Sequence, residues 1–280
     1  MKHNGQTIAI CFFGITRSLR LTWPSIEKNM LEPARRYGDV QIYSHFFKQK
    51  QIANPRSGEQ GEMDPNEHQL ISSDWIELEE PNGCLRDWPF EELKAFGDTW
   101  DDDFSSLSNL IHQLHSLHKV TSKILAGGHD TAIFLRPDLR YLDSGVGALR
   151  AALKTQSEAV WLPSWQAWGG VNDRFAICRG RRAIRTYGQR AESALAFCQS
   201  ENMPLQGEQM LAWSLKQQSI PIYNIKVRAS RIRLDGSVAT PDLFPSAARR
   251  IAARWATQLG VKEQINRALG RDSAGKRPKG

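Results

Sequence analysis

The sequence predicts a mixed α/β fold, a mostly parallel central sheet flanked by helices, on three observations. Residues 8–13 read Ile-Ala-Ile-Cys-Phe-Phe with no polar side chain, the pattern of a strand covered on both faces. Gly14, a helical pattern opening at Trp23-Pro24-Ser25-Ile26 and a strand-like stretch at 39–47 complete a strand–helix–strand unit. The crossover in such a unit makes its two strands parallel. A third apolar run, residues 132–135, stops abruptly on Arg136-Pro137-Asp138. Proline cannot donate to a ladder and holds the preceding residue extended, so the strand ends there and releases a cation and a carboxylate at its carboxyl edge. In open α/β sheets that edge is where ligands bind. The other reading of the Arg136–Asp138 pair is a salt bridge closing a strand end.

Composition fits a globular chain with a sizeable core: 280 residues, 40% hydrophobic, 24% charged, mean hydropathy −0.48. No apolar stretch approaches the roughly 20 residues that cross a bilayer. The first apolar run is too short for a signal peptide, and the four cysteines (Cys11, Cys84, Cys178, Cys198) are scattered without a CxxC. Reduced thiols and a cytoplasmic location are therefore expected. Charge is uneven. Residues 226–280 hold 13 Lys/Arg against 4 Asp/Glu, whereas the first 225 residues hold 24 against 26. Basicity, and any partner it implies, belongs to the carboxyl-terminal fifth.

The turn after the first strand has one glycine and neither GxGxxG nor GxxxxGK[ST], which excludes a dinucleotide fingerprint and a P-loop. Residues 48–103 lose periodicity and carry turn signals such as Asn54-Pro55, Asp64-Pro65-Asn66 and Pro81-Asn82-Gly83, so an irregular insertion with short helices is expected. Asp101-Asp102-Asp103 precedes a long helix over 104–126, closed by Gly127-Gly128. The acidic run suits a helix start, by capping and by the macrodipole, and also contains a DxD. On that helix His112, His115 and His118 stand at i, i+3 and i+6. Neighbouring pairs lie about 60° apart around the axis and the outer pair about 120°, too wide for three ligands of one ion. Helix 146–153, strand 159–162, strand 175–178, helix 181–199, a helix from Gly207, and strands 220–225 and 229–234 follow. Between them Trp165-Gln166-Ala167-Trp168-Gly169-Gly170-Val171-Asn172-Asp173-Arg174 joins aromatic platforms to hydrogen-bonding groups, which suits a sugar or a base, or else forms a structural loop anchored by tryptophan.

These pieces, in their order and spacing, resemble a family of GT-A-like bacterial surface-polysaccharide glycosyltransferases. The resemblance rests on the first strand with Gly14-Ile15-Thr16-Arg17, then Trp23-Pro24-Ser25-Ile26 with Asn29, and Asp39-Val40. It continues through Gln113, Ser116, Leu117 and Lys119, then Leu135-Arg136-Pro137-Asp138-Leu139. It ends in Gly170-Val171-Asn172-Asp173-Arg174-Phe175-Ala176, Tyr187, Glu208 and Leu211. It implies a GT-A-like (Rossmann-like) catalytic domain over 1–245, with 48–103 an insertion and 246–280 a basic helix and tail. It further implies a nucleotide-sugar donor and a glycan or lipid-linked acceptor in surface polysaccharide (lipopolysaccharide-type) synthesis. Gly14, Thr16, Arg17, Gln113, Arg136, Asp138, Trp168, Gly170 and Asn172 would bind the donor, and Asp173 or Glu208 would serve as catalytic base. Asp138 stands where the DxD of such enzymes lies, but Arg136-Pro137-Asp138 keeps only one of its two carboxylates. Either Asp138 holds Mn²⁺ or Mg²⁺ through diphosphate oxygens, or Arg136 neutralises the diphosphate without a metal.

The tail, with Ile251, Trp255, Leu259 and Val261 on one side of a basic helix, is expected either to lie on an anionic inner leaflet or to be solvated. Two other functions fit the composition: a nucleic-acid-binding protein using that tail, and a non-catalytic nucleotide-sugar-binding relative. The first is disfavoured because the basic residues are not interleaved with stacking aromatics, so no nucleic-acid partner is expected.

Overall fold

The structure is a computed structural model that describes residues 7–54, 58–81, 83–239, 241 and 243. Strand β1 (Thr7–Gly14) alternates between two cores: Ile8, Ile10 and Phe12 face one side and Ala9, Cys11 and Phe13 the other. Apolar demand on both faces is why the run shows no period. Helix α1 (Leu19–Ile26) begins four residues ahead of the sequence expectation. The reason is remote: the carboxylate of Glu67, from the insertion, accepts the N–H groups of Leu19 and Arg20, each at 3.1 Å, and satisfies donors that a helix start leaves open. A wider π-type turn over Glu27–Leu31 leads to α2 (Glu32–Arg35), and β2 (Asp39–Phe47) pairs with β1 in parallel, as the crossover predicts.

The insertion is more regular than its sequence. It holds a hairpin, β3 (Gln51–Asn54) with β4 (Glu59–Glu62), then β5 (Trp75–Glu79), which joins β2 in parallel as an edge strand, and α3 (Phe90–Lys94). The long helix α4 (Ser105–Ala126) agrees with expectation, and its acidic approach does act as a cap. Asp102 accepts the Ser106 N–H and hydroxyl, while Asp98 accepts the N–H groups of Trp100, Asp102 and Phe104. Strand β6 (Thr131–Leu135) is buried throughout and lies parallel to β1. After Pro137 the chain resumes as β7 (Leu139–Tyr141), outside the main sheet.

Then follow α5 (Val146–Lys154), β8 (Ala159–Pro163) and β9 (Ala176–Arg179), which runs antiparallel between β6 and β8. The helix expected over 181–199 is two, α6 (Arg181–Gly188) and α7 (Ala194–Glu201), joined by a tight turn. The break falls at Gly188, where an added Cβ would stand 2.0 Å from Thr121 Oγ1 on α4. Helix α8 (Gly207–Gln217) precedes β10 (Ile222–Ile225), β11 (Ala229–Ile232) and β12 (Val238–Ala239). The main sheet has seven strands in the order β10-β8-β9-β6-β1-β2-β5, so it is mostly parallel with helices on both faces. Strand β11 pairs with β7 and β12 in a separate small sheet rather than extending the large one. All four cysteines are buried and free. Among the described residues no helix is long and apolar enough to cross a membrane. The expected basic helix and tail at 246–280 lie outside the described residues.

Candidate functional site

Both central strands, β1 and β6, end at one cleft of about 580 Å³. Gly14 closes β1 with φ +102°, a conformation open to glycine, and its N–H donates to Ser116 Oγ on α4 at 2.7 Å. Three residues on, Arg17 turns inward at 6% exposure and bridges two carboxylates, Glu59 Oε2 at 3.0 Å and Asp138 Oδ2 at 2.8 Å. Beyond β6, Arg136 grips the same Asp138 with two prongs, Nε to Oδ1 at 3.0 Å and Nη2 to Oδ2 at 2.8 Å. Its third nitrogen, Nη1, donates to Gln113 Oε1 at 3.1 Å. Asp138 is thus 3% exposed with both oxygens accepting guanidinium N–H groups. Burial pushes its carboxyl up, but the charges of Arg136 and Arg17 outweigh burial and hold it well below the usual carboxylate range. Glu59 also accepts the Leu234 N–H at 2.9 Å, so the insertion hairpin is tied both to Arg17 and to the chain that follows β11.

Arg174 and Arg231 line the same cleft. Burial lowers both guanidinium pKa values, that of Arg231 to about 10, yet both stay charged at neutral pH. Among the described residues Arg174 Nη1 and Arg231 Nε are buried with no hydrogen-bond partner, and the Arg174 guanidinium sits 5.5 Å from the centre of the Trp165 ring. Asp173 and Glu208 line the cleft as well. Asp173 is anchored at both its groups: its carbonyl accepts the Tyr187 hydroxyl at 2.9 Å and its Oδ2 lies 3.4 Å from Arg190 Nη2.

Of the residues singled out in the sequence, Gly14, Arg17, Gln113, Arg136, Asp138, Asp173 and Glu208 therefore meet in one cleft. Thr16, Trp168, Gly170 and Asn172 are not among its lining residues. Thr16 is buried and its carbonyl accepts the Leu19 N–H, opening α1. Asn172 is fully buried, donating to the Trp165 carbonyl at 2.6 Å and accepting the Arg174 N–H at 3.0 Å. Trp165 is itself buried and donates to the Val227 carbonyl at 3.1 Å, so tryptophan anchors the 165–174 loop, while its Gln166, Asp173 and Arg174 line the cleft. Trp168 stands out from it at 58% exposure. Gly170 packs against the backbone of Glu208, whose carbonyl accepts the Val171 N–H at 3.0 Å. Glu59 and Arg231 were not foreseen, because neither the hairpin nor the small sheet leaves a pattern that places them near Asp138.

A divalent cation at Asp138 does not fit this donor set. Its oxygens already accept three guanidinium N–H bonds, and Arg231 adds a third positive charge to its surroundings. A cation there would replace satisfied bonds with repulsion. A different group of described residues has metal-ligating spacing. His45 Nε2 on β2 and His115 Nε2 on α4 lie 3.1 and 2.9 Å from Glu79 Oε2 on β5, and the three atoms fall within 4.8 Å of one another. The sequence pattern on α4 alone missed it: His112 instead meets the Ser108 carbonyl and His118 meets Glu192. Ser116 stands between this cluster and the cleft, its Oγ meeting His45 Nδ1 at 2.9 Å and the Gly14 N–H on the other side. Ser116→Ala would orphan that N–H and is expected to cost about 1–3 kcal/mol, read by denaturant titration.

No family model and no curated protein matches the chain. Among solved structures, it is similar to the apo form of mouse xyloside xylosyltransferase 1, at 10% identity and a TM-score of 0.44, over 79% of this chain and 85% of that one.

Proposed function

We propose that this chain is a glycosyltransferase that takes a nucleotide-sugar donor into the cleft at the carboxyl ends of β1 and β6, and holds the leaving diphosphate with arginines. The observation that carries this reading is the pair Arg174 and Arg231: two desolvated guanidinium groups lining one cleft with no ion pair among the described residues, each with a buried nitrogen that lacks a hydrogen-bond partner among them, as Arg17 Nε does. A nucleoside diphosphate supplies the acceptor oxygens such nitrogens require, and planar guanidinium matches phosphate geometry. Arg17 and Arg136 differ in being neutralised by Asp138 and Glu59, so they shape the wall that presents the other two. Charge developing on the departing phosphate then meets fixed cations in a cleft that already excludes much of the water. Transfer also needs a group to take the proton of the attacking hydroxyl, and of the four carboxylates that line the cleft among the described residues (Asp98, Asp138, Asp173 and Glu208) we assign this role to Asp173 or Glu208. The acceptor is read as a glycan or lipid-linked glycan, and the setting as surface polysaccharide synthesis, from the sequence resemblance.

Calorimetry of the full chain with UDP-, GDP- and CMP-sugars in EDTA tests this directly. One donor class is expected to bind without added metal, and Arg231→Met is expected to weaken it about 10- to 100-fold, the loss of a charge-assisted contact. Absence of heat with every donor, in EDTA and in Mn²⁺ alike, would remove the reading. Heat with DNA or RNA alone would favour the nucleic-acid alternative. Binding without transfer to any glycan acceptor and without donor hydrolysis would leave a nucleotide-sugar-binding protein that is not an enzyme.

A further inference from the structure

We propose that His45, Glu79 and His115 form a binding site for a divalent transition cation of the zinc class, separate from the donor cleft. Two imidazole nitrogens and one carboxylate oxygen is a donor set suited to zinc, whereas magnesium and calcium favour oxygen alone. The carboxylate oxygen lies 3.1 Å from one nitrogen and 2.9 Å from the other. Ligands bonded to tetrahedral zinc at about 2.0–2.1 Å lie about 3.3 Å apart, so the two nitrogen–oxygen separations need open by only a few tenths of an ångström, and the two nitrogens stand within 4.8 Å of each other. The three residues come from β2, β5 and α4, which are already fixed in the sheet and against it.

In the metal-free cluster His45 Nε2, 3.1 Å from Glu79 Oε2, donates to that carboxylate, and loading moves its proton to Nδ1. A metal on Nε2 requires the ring proton on Nδ1, and Ser116 Oγ stands 2.9 Å from that nitrogen. Ser116 can accept there because its own hydroxyl proton has another acceptor, the His45 carbonyl at 2.8 Å. His115 is held differently. The Trp88 indole N–H donates to its Nδ1 at 3.1 Å, which keeps the ring proton on Nε2, directed at Glu79. Metal loading therefore moves that proton from Nε2 to Nδ1, and the indole must turn aside. The indole hydrogen bond and the two imidazole hydrogen bonds to Glu79 are exchanged for coordinate bonds from three ligands, so Trp88 weakens the site without closing it. An occupied site would clasp β5, and with it the insertion that delivers Glu59 to Arg17, onto β2 and α4.

The test uses the full chain, stripped with a chelator and dialysed, then titrated with Zn²⁺ against a chromophoric chelator, with Mg²⁺ as the contrast. One equivalent of Zn²⁺ is expected to bind at sub-micromolar concentration, with no competition from millimolar Mg²⁺. Glu79→Gln, which keeps the side-chain shape, is expected to weaken binding at least 10-fold. Trp88→Phe is expected to tighten it about 5-fold, the equivalent of one neutral hydrogen bond. Unchanged circular dichroism in both variants separates a lost ligand from a lost fold, and His45→Gln serves if Glu79→Gln unfolds. Failure to bind one saturable equivalent would overturn the site, as would an equivalent whose affinity ignores all three substitutions. Because none of the three residues lines the cleft and zinc binding is read with no donor present, its failure is distinguishable from a failure of donor binding.

Discussion

Asp138→Ala is expected to destabilise the fold by about 3–5 kcal/mol, a fall in the thermal midpoint on the order of 10 °C. Arg17 and Arg136 are both paired to this one carboxylate, and Arg17 is almost fully buried. Removing the anion leaves desolvated cations side by side, which costs far more than an exposed salt bridge would. The loss is therefore one of stability before it is one of activity. A second substitution tests the cause. Arg136→Met in the Asp138→Ala background should recover part of the loss, because an apolar chain of similar length replaces an unpaired charge. The pH dependence has a definite sign. The folded carboxyl titrates below its ordinary range, so its contribution is complete above the usual carboxylate pKa and is lost as pH falls toward the depressed value. Asp138→Asn should flatten that part of the stability-against-pH curve, measured by denaturant unfolding between about pH 5 and pH 3. An Asp138→Ala protein melting within about 2 °C of the parent would show that the three-residue cluster carries little of the fold's stability.

Much of the framework was legible because it is dictated locally. Strand β2 and helix α4 announce themselves by apolar pattern, turn residues and caps within their own span, and Pro137 marks the end of β6 in the sequence itself. The placing of Arg17 and Asp138 in one cleft followed from the parallel pairing of β1 and β6, since adjacent parallel strands deliver their ends to one edge. What was not legible depends on distant partners. Strand β5 alternates as Trp-Ile-Glu-Leu-Glu with every residue at least partly exposed, a weak signal that only pairing with β2 makes regular. Helix α1 starts early because Glu67 caps it, and the helix over 181–199 is interrupted just after Gly188, where α6 approaches Thr121 of α4 too closely for a side chain. The 165–174 loop divides for a related reason: Gln166, Asp173 and Arg174 line the cleft, and the rest does not. Its tryptophans and amides look like ligand-binding groups in sequence, yet Trp165 and Asn172 satisfy each other and Val227 internally. Residue type announced polarity, but the partner was decided by tertiary packing.

Gly170→Ala is expected to cost at least about 3 kcal/mol, at or beyond the upper end of ordinary overpacking. A Cβ at Gly170 would stand 2.0 Å from the Glu208 carbonyl oxygen, 2.3 Å from its carbon and 2.6 Å from the Gln209 nitrogen. All three atoms are backbone, so no rotamer change relieves the clash, and either the loop or the first turn of α8 must move. That movement breaks the hydrogen bond from Val171 N–H to the Glu208 carbonyl. It also displaces Gln206, Gly207 and Glu208, which line the cleft together. Activity should therefore fall with stability, unlike the usual packing defect far from a site. Gly147→Ala provides the control. Gly147 lies exposed in α5 with nothing among the described residues within 4 Å of an added Cβ, so the same chemical change there should stabilise by about 0.5–1 kcal/mol. Thermal unfolding of the two variants side by side decides the matter: equal midpoints would mean that the loop yields freely at Gly170 and that α8 is not positioned by it.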